Sequence, residues 1–210
     1  HELNQPLCII QMASERTLEA LDEGMAGDGF LRQKLAQISE QAERAGKIIS
    51  HMRIFGRQEG QTQTTFDVRH SIENALSMIM EQLRLKNITV STQLNGKPCS
   101  VTGVNIQFEQ VILNLLSNSR DAILAHQEAG AEGGQIVISA VPAEDEESVT
   151  ATVRDNGGGF PLDEVNRVFD PFFTTKPAGV GTGLGLSISY GIISEMGGRI
   201  SAATEGEEGL

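Results

Sequence analysis

Apolar residues recur with a helical period over the first 58 residues. Leu3, Leu7, Ile10, Ser14, Thr17 and Leu21 alternate spacings of four and three. The run Gly24-Met25-Ala26-Gly27-Asp28-Gly29 interrupts them. A second stripe follows at Leu31, Leu35, Ile38, Ala42, Ala45, Ile49 and Met52. Both are heptad seams, and two such helices joined by a short loop predict an antiparallel hairpin. Ile9, Leu18, Ile48 and Phe55 lie beside the seams. One hairpin cannot cover them all, so dimerisation into a four-helix bundle is expected.

Residues 56–65 are polar and rich in Gly, Thr and Gln, and read as a linker that ends near a short strand. Helices then alternate with strands. Val68, Ile72, Ala75, Leu76, Ile79 and Leu83 mark a helix, with Asp67 as its N-cap. Strands are expected at 87–94, 98–101, 135–141, 148–155 and 199–203. Helices are expected at 106–126 and 184–196. Helices beside a mostly antiparallel sheet indicate an α/β two-layer sandwich. The domains are therefore residues 1–58, the hairpin, and 62–210, the sandwich.

Composition narrows the function classes. With 39% hydrophobic and 21% charged residues, the 210-residue chain is globular. Trp is absent and Tyr occurs once, so the core is aliphatic. The net charge of −12 argues against nucleic acid as a ligand. It does not argue against nucleotides, where backbone amides and Mg²⁺ can meet the phosphates. No stretch approaches the ~18 consecutive apolar residues of a membrane span. Cys8 and Cys99 have no metal-ligand spacing and suggest a reduced, cytoplasmic setting.

Three segments carry candidate chemistry. On the helix 106–126, at about 100° per residue, Gln107, Gln110, Asn114, Asn118 and Asp121 fall within about 40° of one meridian. Phe108, Ile112, Leu115, Leu116 and Ile123 fall on the other side. Side-chain oxygens one turn apart can share Mg²⁺, which takes the rest of its shell from phosphates and water. Next, Asp155-Asn156-Gly157-Gly158-Gly159 directly follows a strand. An Asp there can accept from an exocyclic amine, and Gly157 and Gly159 let backbone approach a flat ligand. Finally, Gly179 to Leu186 (GVGTGLGL) runs into a helix whose free amides form an anion site. Lys176, in Phe172-Phe173-Thr174-Thr175-Lys176, lies just upstream. Each segment alone also reads as ordinary structure: a solvated helix face, a turn, a flexible loop.

Together and in this order they resemble the N, G1, F and G2 boxes of sensor histidine kinases. The ATP-binding fold of that superfamily, GHKL, also occurs in DNA gyrase and mismatch-repair ATPases. The resemblance spans residues 62–203. His1-Glu2-Leu3-Asn4-Gln5-Pro6-Leu7 is similar to the H box. HELNQPL, AERAGKII at 42–49 and RIFGR at 53–57 are similar to the oxygen-sensing and C4-dicarboxylate-sensing subgroup.

The resemblance implies ATP with Mg²⁺ as cofactors, His1 as phospho-acceptor, and Glu2 as general base or orienter of the ring. Asn118, with Asn114 beside it, becomes the metal ligand. Asp155 reads the adenine amine. Asp121, Gly157, Gly159, Thr175, Lys176, Gly181, Thr182, Gly183, Leu184 and Gly185 complete the nucleotide site. Gln5 stands where many relatives carry Thr or Asn, a position linked to dephosphorylating the regulator, and departs from that pattern, although an amide can orient a water. The ATPase relatives place a water-activating Glu four residues before the Mg²⁺ ligand. Asn114 stands there here, so slow hydrolysis and transfer to His1 are expected.

Pro6 predicts a kink beside His1 if the helix continues through both. Residues 157–183 read as a lid, with Phe169, Phe172 and Phe173 packing it down. Implied partners are a second copy through the hairpin, a response-regulator receiver domain, and an upstream sensor domain of a longer, membrane-bound protein. Two other classes fit less well. Intact His1, Asn118, Asp155 and the Gly-rich loop argue against a chain that binds regulator and nucleotide but serves mainly as a phosphatase or scaffold. A mechanical ATPase would not carry the H box and hairpin.

Overall fold

The computed structural model describes residues 3–56, 62–94, 96–131, 133–144, 148–161, 164–165, 167–176 and 181–204, without the side chains of 43–44 and 47–56. The chain forms two compact units, His1–Gly60 and Gln61–Leu210.

The first unit is a hairpin of α1 (Asn4–Asp22) and α2 (Asp28–Gly56). Its inner face straddles the predicted seam and the positions just before it: Leu3, Ile10, Ser14 and Thr17 of the seam are half-buried. Pro6 and Ala13 are buried and Ala20 is half-buried, whereas Leu7 and Leu21 are 47% and 51% exposed. On α2 the seam residue Ala45 is buried together with Gln41, Leu31 and Ile38 of the seam are half-buried, and Leu35 is exposed. Small side chains such as Ala13 and Ala45 are buried in the hairpin, while Leu7, Leu21 and Leu35 are exposed. Leu7, Leu18 and Leu21 all lie within about 60° of one another on α1, and all are exposed. Pro6 sits in the first turn of α1, where its missing N–H costs no intrahelical bond. The kink expected beside His1 falls outside the described residues.

The second unit packs helices on one face of a sheet. Its elements are β1 (Thr64–Asp67), α3 (Val68–Leu85), β2 (Ile88–Gln93), β3 (Ser100–Gly103), α4 (Asn105–Glu128), β4 (Gly134–Pro142), β5 (Val149–Asp155) and α5 (Gly185–Glu195). Asp67 caps α3 as its sequence position suggests: its extended backbone (φ −87°, ψ 118°) lets the carboxylate accept from the Arg69 amide. The Arg69 guanidinium adds a bond at 2.6 Å. The hydrogen bonds from that guanidinium, working against burial, bring the Asp67 pKa down to about 2.

The larger sheet has the order β2-β4-β5, and β1 and β3 form a separate antiparallel pair. The sheet is mixed rather than mostly antiparallel, because β2 and β4 run parallel. Parallel neighbours need a crossover, which α4 supplies. Gly134 makes the close crossing possible: a Cβ there would stand 2.7 Å from Ile123 Cγ2 and 2.8 Å from Ile88 Cγ1. β3 begins two residues later than expected, past Pro98, which has no ladder donor. Arg199–Ala203 alternates exposed and half-buried positions but joins no ladder among the described residues. Alternation reports which side is covered, and a pairing edge is a separate condition.

The core joins Ile72, Ala75, Ile79 and Leu83 of α3 to Ile112, Leu116 and Ile123 of α4 and to Ile136 and Ile138 of β4. Each buried aliphatic side chain stabilises the fold by roughly 1.5–3 kcal/mol before entropy is counted. This packing fixes the axial rotation of α4, and with it the face that carries the polar stripe.

Candidate functional site

The apolar residues Phe108, Ile112, Leu116 and Ile123 of α4 are buried, and its five polar meridian residues, from Gln107 to Asp121, are all half-buried. The stripe is therefore not a solvated helix face. α5 packs on α4, and two of the contacts that join them come from Asn114. Its Nδ2 donates to the Gly185 carbonyl at 3.1 Å and to Ser189 Oγ at 3.3 Å. Its Oδ1 accepts from Gln110 Nε2 at 3.0 Å. Asn114 thus ties α4 to α5, and its Oδ1, with one donor, keeps a lone pair. Asn118, one turn further on, makes no side-chain hydrogen bond among the described residues, so its carboxamide is available.

Asp155 closes β5 beside α4. Oδ2 accepts from Ser119 Oγ at 2.7 Å, and Oδ1 accepts from the Gly157 amide at 3.0 Å. One donor per oxygen holds the carboxylate's rotation and leaves acceptor capacity on each. Ser119 is missing from the sequence-based set of site residues. Its signal was there to be read: it is a polar residue between Leu116 and Ile123 on the apolar face, and a buried hydroxyl needs a partner. The turn lies against α4 so closely that a Cβ on Gly157 would meet Ala122 Cβ at 2.7 Å. Gly159 has a positive φ and faces Thr204.

The Phe-rich and Gly-rich segments meet at Phe172 and Gly183. The Phe172 amide donates to the Gly183 carbonyl at 2.9 Å. Gly183 sits at φ +64°, with no room for a Cβ against the Phe172 backbone. Phe172 itself is 56% exposed and does not pack the segment down. Phe169 instead lies 6.0 Å from the Tyr190 ring, and Phe173 lies under the Arg167 guanidinium. The Leu184 amide reaches Thr182 Oγ1 at a long 3.4 Å. The amides of Gly185, Leu186 and Ser187 follow in the first turn of α5, where no intrahelical acceptor exists. A Cβ on Gly185 would meet nothing closer than Asn114 Cγ at 3.8 Å, so space does not demand glycine there. Thr175 is exposed.

Lys176 and Asp121 are brought together, Nζ to Oδ2 at 2.5 Å. Arg120 Nε and a terminal guanidinium nitrogen bond Asp121 Oδ1 at 2.9 and 2.7 Å. Burial pushes the Asp121 pKa up, but hydrogen bonds and charge from Lys176 and Arg120 outweigh it and hold the carboxyl below its ordinary value.

No group of three His, Cys, Asp or Glu side chains suited to a metal exists among the described residues. The donor set fits Mg²⁺ of the kind that arrives with a nucleotide, since that ion needs only one or two protein oxygens. His1 and Glu2 lie outside the described residues; Gln5 is exposed on the first turn of α1.

Residues 103–210 match the family described as histidine kinase-, DNA gyrase B- and HSP90-like ATPases. Residues 1–61 match the His kinase A phospho-acceptor domain. The chain belongs to the histidine kinase branch of that ATPase family. The chain is 36% identical to the two-component sensor PprA of Pseudomonas aeruginosa, an alignment that covers 100% of the chain and 23% of the relative. It is 32% identical to the C4-dicarboxylate transport sensor protein DctB of the same species, over 100% of the chain and 33% of the relative. It is also 32% identical to the sensor protein FixL of Bradyrhizobium diazoefficiens, over 100% and 40%. The chain thus spans well under half the length of these relatives. The catalytic domain of histidine kinase ThkA superposes with a TM-score of 0.54 at 29% identity, covering 64% of this chain and 82% of that one. ThkA in a complex with response regulator protein TrrA superposes with a TM-score of 0.73 at 24% identity, covering 98% and 56%.

Proposed function

We propose that the chain is the catalytic core of a two-component sensor kinase. It binds ATP on residues 62–210 and transfers the γ-phosphoryl group to a ring nitrogen of His1. An aspartate of a response-regulator receiver domain then takes the group. The observation that carries this reading is the Asp155 carboxylate, held by the Ser119 hydroxyl and the Gly157 amide beside the Asn118 face of α4. The match of residues 1–61 to a phospho-acceptor domain supplies the other substrate.

Each oxygen of Asp155 keeps a lone pair, and the exocyclic amine of adenine donates to it. Gly157 and Gly159 keep the wall of the base site thin. The amides of Leu184 and Gly185 and those that follow face phosphate oxygens at the positive end of α5. Gly181, Thr182 and Gly183 shape that loop, and the Lys176 ammonium is the nearby cation. The Asn118 carboxamide oxygen would hold Mg²⁺, which when bound neutralises phosphate charge.

A neutral imidazole is a nucleophile near pH 7. The free ring nitrogen of His1 attacks the γ-phosphorus, the bond to the bridging oxygen of ADP breaks, and the ring's displaced proton passes to Glu2. In the second transfer the N–P bond breaks as the regulator's carboxylate oxygen bonds phosphorus. In a separate phosphatase reaction Gln5 would orient a water that attacks the phosphorus of the regulator's phospho-aspartate, breaking its acyl O–P bond and releasing inorganic phosphate.

ThkA is itself seen in a complex with a response regulator, which supports a receiver domain as partner. The outward leucines of α1 support dimerisation through the hairpin. No helix among the described residues is long and apolar enough to cross a membrane. We place the chain in the cytoplasm, as the kinase portion of a longer sensor whose sensing domain lies elsewhere in the protein.

The site is tested by equilibrium binding of ATP to Asp155→Asn. Losing a hydrogen bond to a charged acceptor predicts a dissociation constant raised roughly 10-fold or more. An unchanged constant would remove Asp155 from the base site.

A further inference from the structure

The ion pair at the phosphate end of the site does something the nucleotide reading does not require. Lys176 and Asp121 belong to different segments of the fold, yet their charged atoms stand 2.5 Å apart with each side chain about 30% exposed. The pairing is built rather than incidental. The stem of Lys176 lies against Gly181, where a Cβ would come within 3.2 Å of both its Cβ and its Cδ. Asp121 is braced from the other side by Arg120, whose remaining arm donates to Gln82 Oε1 of α3 at 3.0 Å. Both oxygens of Asp121 are therefore already occupied by cations. A carboxylate so placed is engaged by the protein's own cations, and its charge repels phosphate. Lys176, by contrast, is the ammonium a phosphate would seek.

We propose that Asp121 is an internal competitor of nucleotide phosphate for Lys176. In the free chain the carboxylate holds the ammonium, and a bound nucleotide takes it by displacing Asp121. Arg120 remains on Asp121 Oδ1, so the exchange does not strand a half-buried, unpaired carboxylate. Asp121 thereby lowers the affinity for ATP instead of contributing to it. This inference rests on the reading of residues 62–210 as an ATP site.

The test is equilibrium binding of Mg²⁺–ATP, and of adenosine by competition, to the 210-residue chain and to Asp121→Asn, Lys176→Met and the double variant. Asp121→Ser serves as a second replacement should Asp121→Asn melt early. Replacing Asp121 is expected to lower the ATP dissociation constant about 2- to 5-fold, the range of a partly exposed ion pair. Adenosine, which has no phosphate, should bind both forms equally. Lys176→Met should weaken ATP, and in that background the Asp121 replacement should have no further effect. An ATP constant that rises or stays level in both Asp121 replacements overturns the proposal, as does a gain that persists without Lys176. ATP binding in the unaltered chain with no gain from replacing Asp121 overturns the proposal alone. Failure of the unaltered chain to bind ATP overturns the site reading as well.

Discussion

Asp67 shows how much one residue can do when its chemistry is local. An Asp before a periodic apolar run reads as an N-cap from sequence alone, and the structure adds the Arg69 guanidinium. Its pKa falls from 3.8 to about 2, so the charged form is favoured in the folded chain. The stabilisation is fully present above about pH 4 and is lost as pH falls through about 2. Asp67→Ala should therefore destabilise the chain by about 1–2 kcal/mol at pH 7. The gap between variant and parent melting temperatures should narrow as the pH is taken from 4 towards 2. A gap that widens there would contradict the account. Asp155 was readable for the same local reason, as an acid at a strand end before glycines. Its orienting partner Ser119 lies 36 residues away. The bonds of Asn114 to Gly185 and Ser189 were not readable, because they depend on α5 packing more than 70 residues away in sequence.

At the scale of elements, periodicity placed the helices and strands well but left facing and pairing open. In the hairpin the predicted seam is only partly covered: Leu3, Ile10, Ser14 and Thr17 are half-buried and Ala45 is buried, but Leu7, Leu21 and Leu35 are exposed. A 3/4 spacing fixes the phase of a helix to about one position and does not say which leucines of the seam stay uncovered. In the sheet, alternation cannot distinguish a parallel neighbour from an antiparallel one, nor guarantee one at all for 199–203. The Asn114 tie makes a prediction at this scale. Asn114→Ala removes bonds to Gly185 and to the fully buried Ser189. It should cost about 1–3 kcal/mol and speed amide hydrogen exchange along α5. Asn118→Ala, with no such bonds to lose, should leave exchange in α5 unaltered. Equal effects from the two variants would refute the division of labour on α4.

At the scale of the molecule, residues 1–61 match a phospho-acceptor domain and residues 103–210 an ATPase family, and the H-box and the Gly-rich motifs made both memberships legible in sequence. What could not be read was their chemistry in place, because a motif records residue types and not the partners that occupy them. Lys176 on Asp121 is the clearest instance. The hairpin's outward face bears on assembly. Leu18→Glu with Leu21→Glu should shift the chain from dimer to monomer in sedimentation equilibrium while its helix content stays the same. A dimer that survives both charges would require another interface. The central claim, phosphoryl transfer from ATP to His1, is tested most directly by incubating the chain with γ-labelled ATP and Mg²⁺ beside His1→Gln. Label that is acid-labile, alkali-stable and absent from the variant is the predicted result; label retained by His1→Gln, or no label on a chain that binds ATP, would contradict it.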